Sequence, residues 1–162
     1  MANPKRALLQ STIVPLSSKQ ETLRVIGQGT CQPSLLLSLY SNKVSAGFPS
    51  PADNDIEKIL DLNEHLIKTP AATFLVRVSG QSMVDAGIQD NDILIVDRSL
   101  EPGEGRIIVA AINGELTVKR LRKGADGQWL LLPANKDYPA ITVAEESSVT
   151  IWGVVAHVIH SF

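Results

Sequence analysis

The dipeptide Asn113-Gly114 is the feature that most restricts what this chain can fold into. Asn-Gly between two apolar runs is the strongest short-range signal for a β-hairpin with a two-residue turn, because both residues tolerate positive φ. Residues 106–113 and 115–122 supply the two runs. The turn fixes the register, with Ile112 opposite Glu115, and so determines which side chains share a face of the sheet.

This register places a lysine on an apolar face. Lys119 pairs with Ile108 and shares its face with Ala110 and Thr117. A lysine that acts as a general base must be neutral, so its pKa must fall by roughly three from a reference value of about 10.4, which costs about 4 kcal/mol. Burial among apolar groups can lower the pKa in this way. The alternative is a lysine at a sheet edge whose ammonium group reaches solvent.

A serine in a glycine-containing turn is the matching candidate nucleophile. The segment Ser79-Gly80-Gln81-Ser82-Met83 follows a strand pattern that begins at Thr73. Gly80 permits a backbone path that other residues resist. Ser82 can then expose its hydroxyl while nearby backbone N–H groups converge to hold an oxyanion. The alternative is a capping serine in an ordinary turn.

A serine hydroxyl is a weak nucleophile and needs a general base. The histidines His65, His157 and His160 show no recognisable triad pattern, and we expect them in structural or solvent-facing positions. Lys119 is therefore the candidate base.

Short strand patterns between Gly-, Pro- and Asn-containing turns dominate the rest of the chain. They cover residues 73–78, 93–96, 128–132, 141–143 and 149–159. Upstream, Asp61 to Lys68 predicts a short helix that Pro70 ends, and Ser50-Pro51 predicts another that runs through Asp55. Together the patterns predict a mainly β fold: a mostly antiparallel domain with short helices.

Residues 1–46 are predicted to form an extended N-terminal arm. Polar residues interrupt its apolar stretches except Leu35 to Tyr40, which is either a short strand or a docking segment. The arm carries five Lys or Arg residues and one Glu, a net charge of +4, whereas residues 47–162 carry ten basic and sixteen acidic residues, a net charge of −6. A basic arm can lie against an acidic body by attraction. The acidic body argues against a broad phosphate-binding surface.

The cellular compartment is constrained by what the sequence lacks. Cys31 is the single cysteine, so no intrachain disulfide can form, which fits a reducing compartment. The basic N-terminus is not followed by the unbroken apolar stretch of a signal peptide, and no apolar run is long enough to span a membrane. We expect a cytoplasmic protein.

Several separate motifs occur in a characteristic order. They are Gly47-Phe48-Pro49-Ser50-Pro51-Ala52, Ser79-Gly80-Gln81-Ser82-Met83, Gly87-Ile88, Asp92, Ile95-Val96-Asp97, Gly114-Glu115-Leu116-Thr117-Val118-Lys119-Arg120-Leu121 and Gly153-Val154-Val155-Ala156-His157-Val158-Ile159. Over about residues 40–160 the chain thereby resembles the LexA/UmuD family of self-cleaving serine peptidases, and especially its UmuD-type SOS mutagenesis branch.

The resemblance implies a Ser–Lys endopeptidase that acts mainly on itself. Ser82 would be the nucleophile, Lys119 the general base, and the backbone amides of Gln81 and Ser82 the oxyanion hole. The cleavage site would be the bond between Ala46 and Gly47, so that arm 1–46 is removed from a peptidase domain 47–162. The implied fold is a compact, signal-peptidase-like β-domain that forms a homodimer, with no metal or cofactor.

The resemblance also implies partners in the SOS response to DNA damage. A RecA-type recombinase filament on single-stranded DNA would stimulate cleavage, and the product would assist an error-prone, UmuC-like Y-family polymerase in translesion synthesis. The alternative is a non-catalytic polymerase- or recombinase-binding module with a vestigial dyad. The arm contains no helix-turn-helix pattern, which disfavours a repressor, and no sequence-specific DNA binding is expected. The absence of a membrane anchor disfavours a membrane signal peptidase.

Overall fold

The computed structural model describes residues 10–11, 24–28, 34–41, 55–143 and 147–162. Within them the strands are β1 Gln10–Ser11, β2 Arg24–Gln28, β3 Leu36–Tyr40, β4 Ile56–Asp61, β5 Thr73–Arg77, β6 Ile93–Asp97, β7 Ile107–Ile112, β8 Glu115–Lys123, β9 Trp129–Leu132, β10 Ile141–Thr142 and β11 Ser147–Ile159. One α-helix, α1 Leu62–Leu66, and two 3-10 turns, Pro70–Ala72 and Val84–Ala86, lie among the described residues. The predicted mainly β fold is confirmed.

A single antiparallel sheet forms the body. Its strand order is β10-β9-β8-β7-β11-β6-β5-β2, and β1 pairs with β11. Strand β11 lies between β7 and β6, and its register shifts once against each neighbour. The last strand of the chain therefore holds the two halves of the sheet together.

The β7–β8 hairpin has the register predicted from Asn113-Gly114. Ile112 pairs with Glu115, and Ile108 pairs with Lys119. Both turn residues have positive φ, 52° at Asn113 and 89° at Gly114. The hairpin therefore fixes the position of Lys119 on the sheet.

Buried apolar side chains form two clusters. The first contains Phe74, Val76, Val78, Met83, Ile88, Leu94, Val96, Val109 and Val118. The second contains Ile108, Ala110, Leu121, Leu131, Val143, Val149 and Val154. Successive residues of a strand point to opposite faces, so Val118 belongs to the first cluster while Lys119 lies on the face of Ile108 and Leu121.

Strands β3 and β4 form a separate two-stranded ribbon, with Leu36 opposite Asp61. Of the two possibilities for Leu35 to Tyr40, the strand is thus correct. Strand β4 was not predicted, because Ile56–Asp61 mixes charged and apolar residues without a clear period. Helix α1 confirms the predicted helix in a shorter form; Asp61 caps it by accepting a hydrogen bond from the Asn63 N–H.

The N-terminal segment contributes more strands than its sequence predicted. Strand β2 pairs with β5 at the edge of the main sheet, in addition to the pairing of β1 with β11. The helix predicted from Ser50-Pro51 through Asp55 lies outside the described residues except for Asp55 itself, which is not helical. Among the described residues, no helix is long and apolar enough to cross a membrane.

Candidate active site

Ser82 lies in a turn that is anchored to the loop before β6. After β5 ends at Arg77, Gly80 adopts a φ of 108° and donates its N–H to Oδ1 of Asp90 at 2.8 Å. A side chain at Gly80 would be strained at this φ. The turn leaves Ser82 only 2% exposed.

The residues after β9 hold the Ser82 backbone from a second side. The Ala134 N–H donates to the Ser82 carbonyl at 2.8 Å, and the Asp85 N–H donates to the Ala134 carbonyl at 2.8 Å. The side-chain amide of Asn135 donates to the Gln81 carbonyl, also at 2.8 Å. Two consecutive carbonyls, those of Gln81 and Ser82, are therefore fixed by a segment more than fifty residues away in sequence.

The side chain of Lys119 reaches Ser82 from β8. Its Nζ lies 2.8 Å from Ser82 Oγ, 3.1 Å from Thr117 Oγ1 and 3.0 Å from the Val118 carbonyl oxygen. Lys119 is 5% exposed. Ile108 and Ala110, on the facing strand, are buried beside it, as the hairpin register predicted.

The amine can make these three contacts in either protonation state, because an ammonium group can donate to all three oxygens. A carbonyl oxygen only accepts hydrogen bonds, whereas a hydroxyl can donate or accept. A neutral Nζ can donate to the Val118 carbonyl and to Thr117 Oγ1 while its lone pair accepts the Ser82 O–H. The arrangement can thus take a proton from a serine hydroxyl, which is the step that activates serine as a nucleophile.

The structure brings together Ser82, Lys119 and the backbone of Gln81. The bond between Ala46 and Gly47 lies outside the described residues. The nearest described positions on either side of it are Ser41 and Asp55. The Ser41 N–H donates a 2.9 Å hydrogen bond to the Asp55 carbonyl. The segment containing the expected cleavage site therefore begins and ends at one end of the β3–β4 ribbon.

The histidines occupy other places. Nδ1 of His160 lies 2.6 Å from Oδ1 of the buried Asp92, and the rings of His65 and His157 have centroids 6.1 Å apart. Asp92 also accepts the Gln89 N–H at 2.7 Å, so it stabilises the turn that leads into β6.

Two neighbours of the dyad were not assigned a role from sequence. The hairpin register placed Thr117 on the same face as Lys119. Residues two positions apart on a strand are neighbours on one face, so the sequence could have indicated this contact. Asn135 had no such signal, because its approach to Gln81 depends on how the segment after β9 folds back. Within the described ranges, no group of three or more His, Cys, Asp or Glu side chains is arranged to hold a metal ion.

Comparison with known proteins identifies the family of the chain. Residues 38–156 match the Peptidase S24-like family. The chain is 46% identical to the protein MucA of Salmonella typhimurium over 122 residues, which cover 75% of this chain and 82% of MucA. It is 44% identical to the protein ImpA of Escherichia coli over 132 residues, covering 78% of this chain and 86% of ImpA.

A repressor of the same family matches a longer part of the chain. LexA repressor 1 of Xanthomonas axonopodis pv. citri is 35% identical over 149 residues, which cover 92% of this chain and 73% of the repressor. Such coverage extends into residues 1–46, beyond the span of about residues 40–160 over which the motifs showed the resemblance. The family match and these relatives confirm the resemblance seen in the motifs: the chain belongs to the peptidase S24-like family, in its LexA/UmuD group.

Proposed function

We propose that the protein is a self-cleaving endopeptidase in which Ser82 is the nucleophile and Lys119 the general base. The observation that carries the proposal is the 2.8 Å contact between Lys119 Nζ and Ser82 Oγ, made by two buried side chains. Burial on an apolar face destabilises the ammonium form of a lysine by desolvation. A catalytic role that requires the neutral amine accounts for a lysine at this position.

The reaction follows from the dyad. Neutral Lys119 accepts the proton of the Ser82 hydroxyl as Oγ attacks the carbonyl carbon of Ala46. The backbone amides of Gln81 and Ser82 stabilise the oxyanion, a contribution of about 10²–10³ in rate for each donor. When the C–N bond breaks, Lys119 gives the proton to the Gly47 amine, and water then hydrolyses the acyl-serine to free the Ala46 carboxylate.

The proposed substrate bond suits a narrow site. Ala46 needs only a small pocket, and Gly47 lets the backbone approach the nucleophile closely. The bond lies in the segment between β3 and β4, whose described ends are joined at Ser41 and Asp55. Because substrate and enzyme belong to one chain, the rate depends on how often this segment is presented to Ser82.

We propose that cleavage divides the chain into an arm, 1–46, and a peptidase domain, 47–162, and that the protein works as a homodimer. Its role would be in the SOS response: a RecA-type recombinase filament on single-stranded DNA promotes cleavage. The product assists a Y-family polymerase in error-prone translesion synthesis. Support comes from the family and from the similarity to MucA and ImpA.

Mass measurement under denaturing conditions, after incubation of the purified chain at alkaline pH, tests the proposal. Loss of residues 1–46 is expected, and Ser82→Ala and Lys119→Ala should each abolish it. Ser79→Ala, in the same turn, and Lys123→Ala, on the same strand, are matched controls because both residues are exposed; they should cleave normally. A chain that stays intact at high pH, and also with recombinase, nucleotide and single-stranded DNA, would instead be a non-catalytic binding module.

A further inference from the structure

We infer that Asn135 is a positioning residue for the oxyanion hole, a role that rests on the proposed function of Ser82. The side-chain amide of Asn135 donates a 2.8 Å hydrogen bond to the Gln81 carbonyl. That carbonyl belongs to the peptide group whose other end is the Ser82 N–H. Asn135 therefore acts on one of the two proposed oxyanion donors without touching the substrate.

Peptide geometry transmits the effect. The described residues contain no cis peptide bond, and in a planar trans peptide the C=O and N–H point in opposite directions. A hydrogen bond that fixes the Gln81 carbonyl therefore fixes the direction of the Ser82 N–H. Oxyanion stabilisation depends on donors that are already oriented before charge develops.

Asn135 is itself held in place. Its Oδ1 accepts the Asp137 N–H at 3.0 Å, and its backbone carbonyl accepts the Tyr138 N–H at 3.2 Å. The preceding residue, Ala134, exchanges hydrogen bonds with Ser82 and Asp85. The segment thus hydrogen-bonds to both peptide groups next to Ser82. The Ala134 N–H donates to the Ser82 carbonyl, and the Asn135 side chain donates to the Gln81 carbonyl.

The two functions of the Asn135 side chain can be separated by one substitution. Asn135→Asp keeps the oxygen that accepts the Asp137 N–H but loses the amide that donates to the Gln81 carbonyl. Its shape is nearly unchanged. Lys136→Glu controls for added negative charge, because it changes the charge at the adjacent, exposed position by −2, against −1 for Asn135→Asp, and Lys136 makes no contact that the inference uses.

The test compares self-cleavage rates of the full chain as a function of pH. Asn135→Asp should lower the plateau rate by about 10- to 100-fold, no more than the loss of an oxyanion donor does. Its added charge should move the pH of half-maximal rate no further than Lys136→Glu does. A general loosening of the site would move that pH further, because it would change the burial of Lys119. Lys136→Glu should cleave at the wild-type rate. Wild-type cleavage by Asn135→Asp, a half-maximal pH that moves further in Asn135→Asp than in Lys136→Glu, or an equal loss of rate in Lys136→Glu would overturn the inference.

A second measurement does not depend on cleavage. In the ¹⁵N-labelled, uncut chain at about pH 6, where the new carboxyl group is ionised and cannot donate, Asn135→Asp should shift the amide resonance of Ser82, and Lys136→Glu should leave it in place. If the wild-type chain does not cleave, the proposed function fails, and this comparison then decides only whether Asn135 orients the Ser82 N–H. An unmoved Ser82 amide in Asn135→Asp would reject the positioning role.

Discussion

The Nζ of Lys119 lies 2.8 Å from the Oγ of Ser82, although 37 positions separate the two residues. They come from β8 and from the turn after β5, and three strands, β7, β11 and β6, lie between β8 and β5 in the sheet. In a flat sheet β8 and β5 would be about 19 Å apart. Val76 and Val118 belong to the same buried cluster, and the turn that follows β5 carries Ser82 away from that strand to the Lys119 amine.

Self-cleavage should speed up with rising pH. Only the neutral amine of Lys119 can accept the Ser82 proton, so the rate should rise about tenfold per pH unit and then level off as the amine becomes fully deprotonated. The measurement is the rate of loss of residues 1–46 between about pH 6 and 10, with circular dichroism as the control for folding. A rate that falls with pH over this range would mean that a protonated group is required instead.

Thr117→Val should slow cleavage without unfolding the protein. Thr117 Oγ1 lies 3.1 Å from Lys119 Nζ, and valine keeps the shape of threonine but removes the acceptor. Loss of one hydrogen bond worth about 1 kcal/mol predicts a roughly fivefold slower reaction. Thr142→Val, at an exposed position of β10, is the matched control and should cleave normally. Equal rates for Thr117→Val and wild type would show that Thr117 does not orient the amine.

Much of the dyad's setting could be predicted from local sequence. Asn113-Gly114 fixes a two-residue turn, and strand alternation then places Lys119 opposite Ile108. Periodicity also located most strands of the main sheet, because apolar residues alternate or cluster there. The catalytic roles of the pair remain predictions that the cleavage measurement must test.

Long-range pairings could not be predicted in the same way. Strand β4 carries charged residues on a ribbon that buries little, so it has no alternating apolar pattern. The pairing of β2 with β5 joins two segments that are far apart in the sequence, a relationship that the local periodicity of either segment does not contain. Asn135 meets Gln81 only because the segment after β9 folds back on the Ser82 turn.

Gly153→Ala should destabilise the body. A Cβ at Gly153 would lie 2.8 Å from Cγ1 of Val96 and 3.0 Å from the Asp97 carbonyl oxygen. Overpacking of this kind costs about 1–3 kcal/mol, which chemical denaturation can measure. Gly103→Ala is the matched control, because nothing lies within 4 Å of its added Cβ. Val96→Ala removes one of these close contacts, so the double variant should be more stable than the sum of the two single effects predicts. A Gly153→Ala chain as stable as wild type would contradict the close packing of β11 against β6.

Residues 1–46 should stay bound after cleavage at Ala46-Gly47. Strands β1, β2 and β3 all lie in this arm, and they pair with β11, β5 and β4 of the remaining chain. Hydrolysis breaks one covalent bond and none of these backbone hydrogen bonds. Native mass spectrometry of the cleaved protein should therefore find both fragments in one complex, which separates under denaturing conditions.

Retention of the arm can be tested without the proposed chemistry. A recognition sequence for a site-specific protease, placed within residues 42–54 of the Ser82→Ala chain, allows an external protease to make the cut. The arm should again remain bound. Val25→Pro combined with Ile26→Pro should weaken its retention, since proline cannot donate to the ladder between β2 and β5. Prompt separation of the two fragments at micromolar concentration, in the chain without prolines, would show that the arm strands do not hold it once the connection is cut.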